Sequence, residues 1–201
     1  MYIPAAYQNS DLEEVKEFIK KNSFGLLINQ TNGKPWATHI PLELYSKNGK
    51  DFLISHISKA NPQWHNFKEN PDVLCIFNGP HSYISSSWYK EEEVPTWNYI
   101  AVHVYGKIKI IEGDALLDSL KDLVDKYEAD SACPVSVDGF SKKTMSQIKG
   151  IVGFEIEINE IKAAYKLSQT RPEDHPKIIE ELNTREQGSK EVAKMMKNKN
   201  N

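Results

Sequence analysis

Apolar positions recur at helical spacing near the start of the chain, at Leu12, Val15, Phe18 and Ile19. Ser10, with Glu13 three residues on, forms a capping box in front of them, and Asn22 and Ser23 end the run. Strand-like runs follow at Phe24–Asn29, Trp36–Tyr45 and Phe52–His56. In the second, Thr38, Ile40, Leu42 and Leu44 alternate with His39, Pro41, Glu43 and Tyr45, the signature of a strand packed on one face. Asn32-Gly33 and Asn48-Gly49 are hairpin signals between these runs. Further strands are predicted at Val73–Phe77, Ser82–Ser86, Trp97–Glu112 and Gly153–Tyr165. Asp114 is read as the cap of a second helix, with an apolar stripe at Leu116, Leu117, Leu120, Leu123, Val124 and Tyr127. Residues 128–144 read as irregular, and Ile178, Ile179 and Leu182 mark a helix after Pro176. No internal repeat or low-complexity linker interrupts the chain. Consecutive strands with hairpin turns predict a closed antiparallel barrel with peripheral helices, because closure removes exposed edges.

Charge narrows the partners. The chain has 201 residues, and 28 acidic residues outnumber 25 basic ones, for a net charge of −3. Arg171 and Arg185 are its only arginines, whereas groove reading of DNA favours the Arg fork. Direct DNA binding is therefore not expected. One basic stretch, Ser189–Asn201 with Lys190, Lys194, Lys197 and Lys199, reads as a frayed, solvated helix end. No run of 18 apolar residues offers a membrane span, and Met1–Ser10 lacks the pattern of a secretory signal. Cys75 and Cys133 form neither a disulfide framework nor a CxxC pair, so a reducing cytoplasm is the expected location.

Four stretches carry more specific chemistry than packing needs. Ser55-His56-Ile57-Ser58-Lys59-Ala60-Asn61-Pro62-Gln63-Trp64 crowds hydroxyls, a lysine and an amide at a strand end. Such a set can grip a phosphate; it can equally be a strand turning into a capped helix. Gly79–Tyr89 and Val94–Tyr99 bring Trp and Tyr together with Ser, Thr and Asn. They suit the edge and faces of a flat heteroaromatic ring, or the sealing of a barrel mouth. Lys166-Leu167-Ser168-Gln169-Thr170-Arg171-Pro172 suits an anion or ring carbonyl, or a helix start with solvated charges. The histidines are scattered, with no HExxH, no Cys–His cluster and no Gly-x-Ser-x-Gly elbow, so no metal site or serine hydrolase is expected.

These stretches also carry a likeness. In order, Met1-Tyr2-Ile3-Pro4, Ser55–Trp64, Tyr83-Ile84-Ser85-Ser86-Ser87-Trp88-Tyr89, Val94–Tyr99, Val102-His103-Val104-Tyr105-Gly106 and Lys166-Leu167-Ser168-Gln169 resemble the PaiB family of FMN-binding negative transcriptional regulators. Ser86 departs from the family's usual Pro, and Thr170 from its usual Asn. The resemblance implies a mainly β protein with peripheral helices (α+β), an antiparallel six-stranded split β-barrel over residues 1–170 followed by a helical segment, 171–201. It implies a homodimer that holds FMN in the groove between subunits. Carried over by position, Ser58, Lys59 and Asn61 would hold the phosphate. Thr38, His39, Ser55 and His56 would line the ring and ribityl chain, and Trp97, Asn98, Gln169 and Arg171 would come from the second subunit or the rim. Any regulatory effect would be indirect, through a protein partner or flavin chemistry. A flavin-dependent oxidoreductase, or a haem protein using His103, stands as the alternative, and no catalytic residue can be named.

Overall fold

The computed structural model describes residues 1–31 and 33–198. Asn32 of the first hairpin signal and Lys199 of the basic stretch lie outside the described residues.

The first helix, α1 (Leu12–Lys21), is capped one residue later than the capping box implies. Glu14 N–H donates to Asp11 Oδ1 at 3.0 Å, so Asp11 rather than Ser10 is the cap. Ser10-Asp11-Leu12-Glu13-Glu14 contains both spacings, and the carboxylate is the stronger acceptor for a helix N-terminus.

Seven strands follow: β1 (Phe24–Thr31), β2 (Lys34–Pro41), β3 (Glu43–Lys47), β4 (Lys50–Ser58), β5 (Asp72–Ile84), β6 (Thr96–Ile111) and β7 (Ile151–Lys166). They form one sheet in the order β2-β1-β5-β6-β7-β4-β3. The mainly β, antiparallel architecture with helices is as expected. The count is seven rather than six, and the ladder does not close, because β2 and β3 remain as edges. The run read as one strand, Trp36–Tyr45, is two. Pro41 has no N–H to offer, and Leu42 N–H makes the last bond in the β1 register, donating to Ser23 O at 2.8 Å. The chain therefore crosses from pairing with β1 to pairing with β4. Conversely, the two runs read on either side of Asn78-Gly79-Pro80 are one strand, β5. A Cβ on Gly79 would lie 2.8 Å from Phe18 Cε2 and 2.9 Å from Ile100 Cβ, so the glycine permits close packing and marks no turn.

The helices are α2 (Asp114–Glu128), α3 (Lys142–Met145), α4 (His175–Asn183) and α5 (Gln187–Asn198). The residue capping α2 is Gly113, at φ 60°, and Asp114 is the first helical residue. As far as Asn198 the basic stretch is a packed helix, where a frayed end was expected. In α5, Ser189, Val192, Ala193 and Met196 are buried and Ser189 Oγ meets Ser82 Oγ at 2.9 Å, so its lysines are the outer face of a packed helix. Hydrophobic periodicity beneath a lysine-rich composition decides its place.

The chain divides into two compact units. Unit one comprises Met1–Phe18, Phe77–His103 and the chain from Lys162 onward; unit two comprises Ile19–Ile76 and Val104–Ile161. Unit one buries Phe77, Ile84, Ile100, Tyr165, Ile178 and Leu182. Unit two buries Leu27, Leu42, Leu53, Phe67, Phe154 and Ile156.

Candidate functional site

In unit two, β4 runs antiparallel to β7, with Ser58 opposite Ile151. At its end the backbone makes a tight turn, Asn61 N–H donating to Ser58 O at 2.9 Å. The turn is braced on both sides of Lys59. Lys59 N–H donates to Gly150 O at 2.8 Å, and Lys59 O accepts from the Trp64 indole at 3.0 Å. Ser58 Oγ accepts from Ala60 N–H at 3.3 Å. Ser58 and Lys59 are exposed, and the Lys59 ammonium has no hydrogen-bond or ion-pair partner among the described residues.

Behind the turn sits a fully buried residue that sequence reasoning did not single out. Gln63 donates to Asn29 Oδ1 at 3.1 Å and Leu27 O at 3.2 Å, and accepts from Thr38 Oγ1 at 2.6 Å. Asn61 closes the network: its Oδ1 accepts from Gln63 N–H at 3.0 Å and its Nδ2 donates to Thr38 Oγ1 at 2.9 Å. Thr38 and Asn61 are thus brought together, but much of their hydrogen-bonding capacity goes to holding the turn against β1 and β2. The Asn61-Pro62 helix-start signal was the one sequence hint that Gln63 sits in a capped 3-10 turn, Pro62–Asn66.

Neighbouring residues on a strand project to opposite faces, so Thr38 and His39 cannot line the same face, nor can Ser55 and His56. His39 stacks on the exposed ring of Phe24, centroids 6.3 Å apart. Ser55 is buried and donates to Pro41 O. His56 is half-buried, and loss of hydration holds its pKa below the ordinary histidine value.

Unit one contains the other four predicted residues. Trp97 is 53% exposed and meets Tyr83 and His81 with centroids 6.0 and 6.1 Å away. Asn98 is fully buried; it donates to Ser168 Oγ at 2.9 Å and contacts Met196 Sδ at 3.6 Å. Gln169 folds back on its own backbone, accepting from Leu167 N–H at 2.7 Å and donating to Tyr165 O. Arg171 pairs with Glu93, lies 3.8 Å from the buried Asp174 carboxylate, and stacks over Tyr89 at 4.7 Å. Asn98 and Arg171 line a cleft of about 190 Å³ with Tyr7, Tyr89 and Lys166. One wall, Ser168, holds φ at 61°, a left-handed conformation uncommon for a residue with a side chain. His175 Nε2 lies 2.8 Å from the Ser168 carbonyl oxygen and fixes it.

A larger cavity in unit two, about 440 Å³, includes Glu43, Asp118, Asp122 and Glu155 in its lining. Its Tyr45 hydroxyl donates to Glu155 at 2.8 Å, and burial together with that carboxylate pushes the phenol pKa up to about 12. Four carboxylates against Lys47 and Lys126 oppose a phosphate there. By contrast, the exposed ammonium of Lys59 and the hydroxyl of Ser58 at the end of β4 suit one. Among the described residues, no group of three or more His, Cys, Asp or Glu is placed to hold a metal, and no helix is long and apolar enough to cross a membrane.

Residues 1–160 match the family described as "Putative FMN-binding domain". The chain is also 46% identical, over 202 aligned positions, to protease synthase and sporulation protein PAI 2 of Bacillus subtilis, covering 99% of this chain and 98% of that protein. The chain belongs to the FMN-binding domain family. The likeness to PaiB proteins carried by the motifs is borne out, and FMN is the cofactor, as expected. Among solved structures, the FAD and heme binding protein of Mycobacterium smegmatis superposes with a TM-score of 0.61 at 14% identity, over 80% of this chain and 73% of that one. The flavocytochrome Anf3 of Azotobacter vinelandii gives 0.58 at 18%, over 79% and 69%. At these identities the likeness establishes the shared fold of the FMN-binding domain family member described above.

Proposed function

We propose that this chain holds FMN by its phosphate at the Ser58–Lys59 turn and acts as a cytoplasmic homodimer whose effect on gene expression is indirect. The observation that carries the phosphate assignment is Lys59: its backbone is tied at both N–H and carbonyl, while its ammonium is exposed and unpaired among the described residues. A point charge on a braced turn loses little conformational freedom when it meets a dianion. Ser58 adds a hydroxyl beside it, and Asn61 keeps the turn in place. Thr38, His39, Ser55 and His56 are the residues from which the ring and ribityl contacts are drawn, with strand alternation dividing them between faces. In the proposed dimer, Trp97, Asn98, Gln169 and Arg171 belong to the second subunit or the rim. Trp97 presents an open ring, whereas Asn98 and Arg171 are held by side-chain partners and Gln169 by its own backbone. The flavin-binding part is taken as residues 1–170, with 171–201 as a helical segment.

When bound, FMN supplies the electron or hydride transfer that no side chain here can perform. The route to regulation is then a protein partner or a metabolite altered by that chemistry. A chain with net charge −3 and two arginines is poorly equipped to read DNA itself.

Comparing Lys59→Ala with the unaltered protein tests the phosphate assignment. FMN affinity should fall roughly ten- to a hundredfold, the worth of a charge-assisted hydrogen bond, while riboflavin affinity changes little. Equal losses for both ligands would move Lys59 away from the phosphate. A Soret band in place of flavin absorbance in the purified protein would favour haem instead.

A further inference from the structure

We propose that the cleft of unit one is a second ligand site, which takes the carboxylate of a small organic acid with Lys166 as the charge that receives it. The proposal does not rest on where the FMN phosphate lies.

Lys166 ends β7 and is half-buried. Its ammonium donates to the hydroxyl of Thr96 and lies 5.6 Å from the centroid of the Tyr7 ring. Both neighbours are neutral, and among the described residues no carboxylate pairs with Lys166. The other cation of the cleft is in the opposite condition. Arg171 is matched by Glu93 and has the Asp174 carboxylate 3.8 Å behind it. Glu93, the one acid in the lining among the described residues, is thereby committed. Lys166 is left half-buried in the cleft without a carboxylate of its own among the described residues. Such a charge is costly without an anion.

The remaining lining points the same way. An ammonium has three donors, and only one is spent on Thr96. The Tyr89 phenol is protonated at neutral pH, as any tyrosine with an ordinary or raised pKa is, and so is a donor. Thr170 adds an exposed hydroxyl. A cleft richer in donors than in free acceptors selects a ligand that brings oxygen lone pairs. Lys166 is a single cation without a carboxylate partner, beside an Arg171 already faced by two carboxylates, so a monoanionic carboxylate fits better than a phosphate dianion. About 190 Å³ is smaller than pockets for drug-sized ligands, which run from about 300 Å³, and suits a small acid. Val94 and the edges of the two tyrosines give a short carbon body apolar contact.

Titration of the full-length, FMN-saturated protein with benzoate, its neutral counterpart benzamide and inorganic phosphate tests the proposal. Benzoate should bind saturably at millimolar concentration, with benzamide and phosphate at least about tenfold weaker. Lys166→Met should lose about tenfold or more in benzoate affinity, and Lys166→Arg should keep part of it. Thermal melting of each variant shows that it is folded. If Lys166→Met does not fold, the benzoate–benzamide ratio in the unaltered protein still decides. No benzoate binding, equal binding of benzamide, preference for phosphate, or an unaffected Lys166→Met would each overturn the proposal. Competition between benzoate and FMN would overturn it too, by returning the cleft to the flavin.

Discussion

His56 shows how a single side chain links burial to pH. It shares a small recess with Pro41, Glu43, Ser119 and Leu123 in unit two. The Glu43 carboxylate there is already held by Lys126 at 2.5 Å and by the Tyr127 hydroxyl at 3.0 Å. Burial therefore dominates and keeps the imidazole neutral in the folded chain, with a pKa below the ordinary 6.5. The unfolded chain takes up the proton first as pH falls. The contribution of His56 to stability is full above about pH 6.5 and is lost as the solution is acidified through and below that value. His56→Gln should flatten the fall in melting temperature between about pH 7.5 and about pH 5, as read by a thermal melt at each pH. A variant as acid-sensitive as the original would place the sensitivity elsewhere. At this scale the sequence displayed Lys59 and its hydroxyl neighbours openly. It could not display the fate of Arg171, whose partner Glu93 lies 78 positions away.

Among the elements, the turn after β4 depends on Gln63. This one side chain bonds Thr38 of β2 and both Asn29 and the carbonyl of Leu27 in β1, with no exposure to water. Replacing it with leucine leaves those buried groups unmatched. Gln63→Leu should cost about 1–3 kcal/mol in urea unfolding and weaken FMN binding by loosening the seat of Lys59. Unchanged FMN affinity in a destabilised variant would separate the turn from the phosphate. Helices and hairpins were legible because periodicity and Asn-Gly turns are local signals. The division of Trp36–Tyr45 was not, since Ile40, Leu42 and Leu44 keep one unbroken alternation across it. The continuity of β5 was hidden because Gly79-Pro80 reads as a turn until the rings that crowd Gly79 are in place. Burial of α5 was masked by its lysines, although Val192, Ala193 and Met196 carry the helical spacing.

For the molecule as a whole, charge is the property that bears on partners. The lysines of α5 form an outer stripe, Lys190, Lys194 and Lys197, on a chain otherwise weighted toward acid. Three lysines on a helix whose inner face is packed can touch phosphates but cannot read bases. In an electrophoretic shift at low and high salt, the purified protein should therefore show no tight, sequence-specific retardation of promoter DNA. Retardation that discriminates between sequences and weakens steeply with salt would make the chain a direct repressor.

The passage at Pro41-Leu42 gears two hairpins together. Because the inward positions Ile40, Leu42 and Leu44 share one parity through the crossing, β2 and β3 cannot be re-registered separately. Adding or deleting a single residue at this joint would turn one strand inside out against its partner, whereas paired changes of length would not. Across related sequences, the joint should tolerate replacement of its letters far more readily than an odd change in their number.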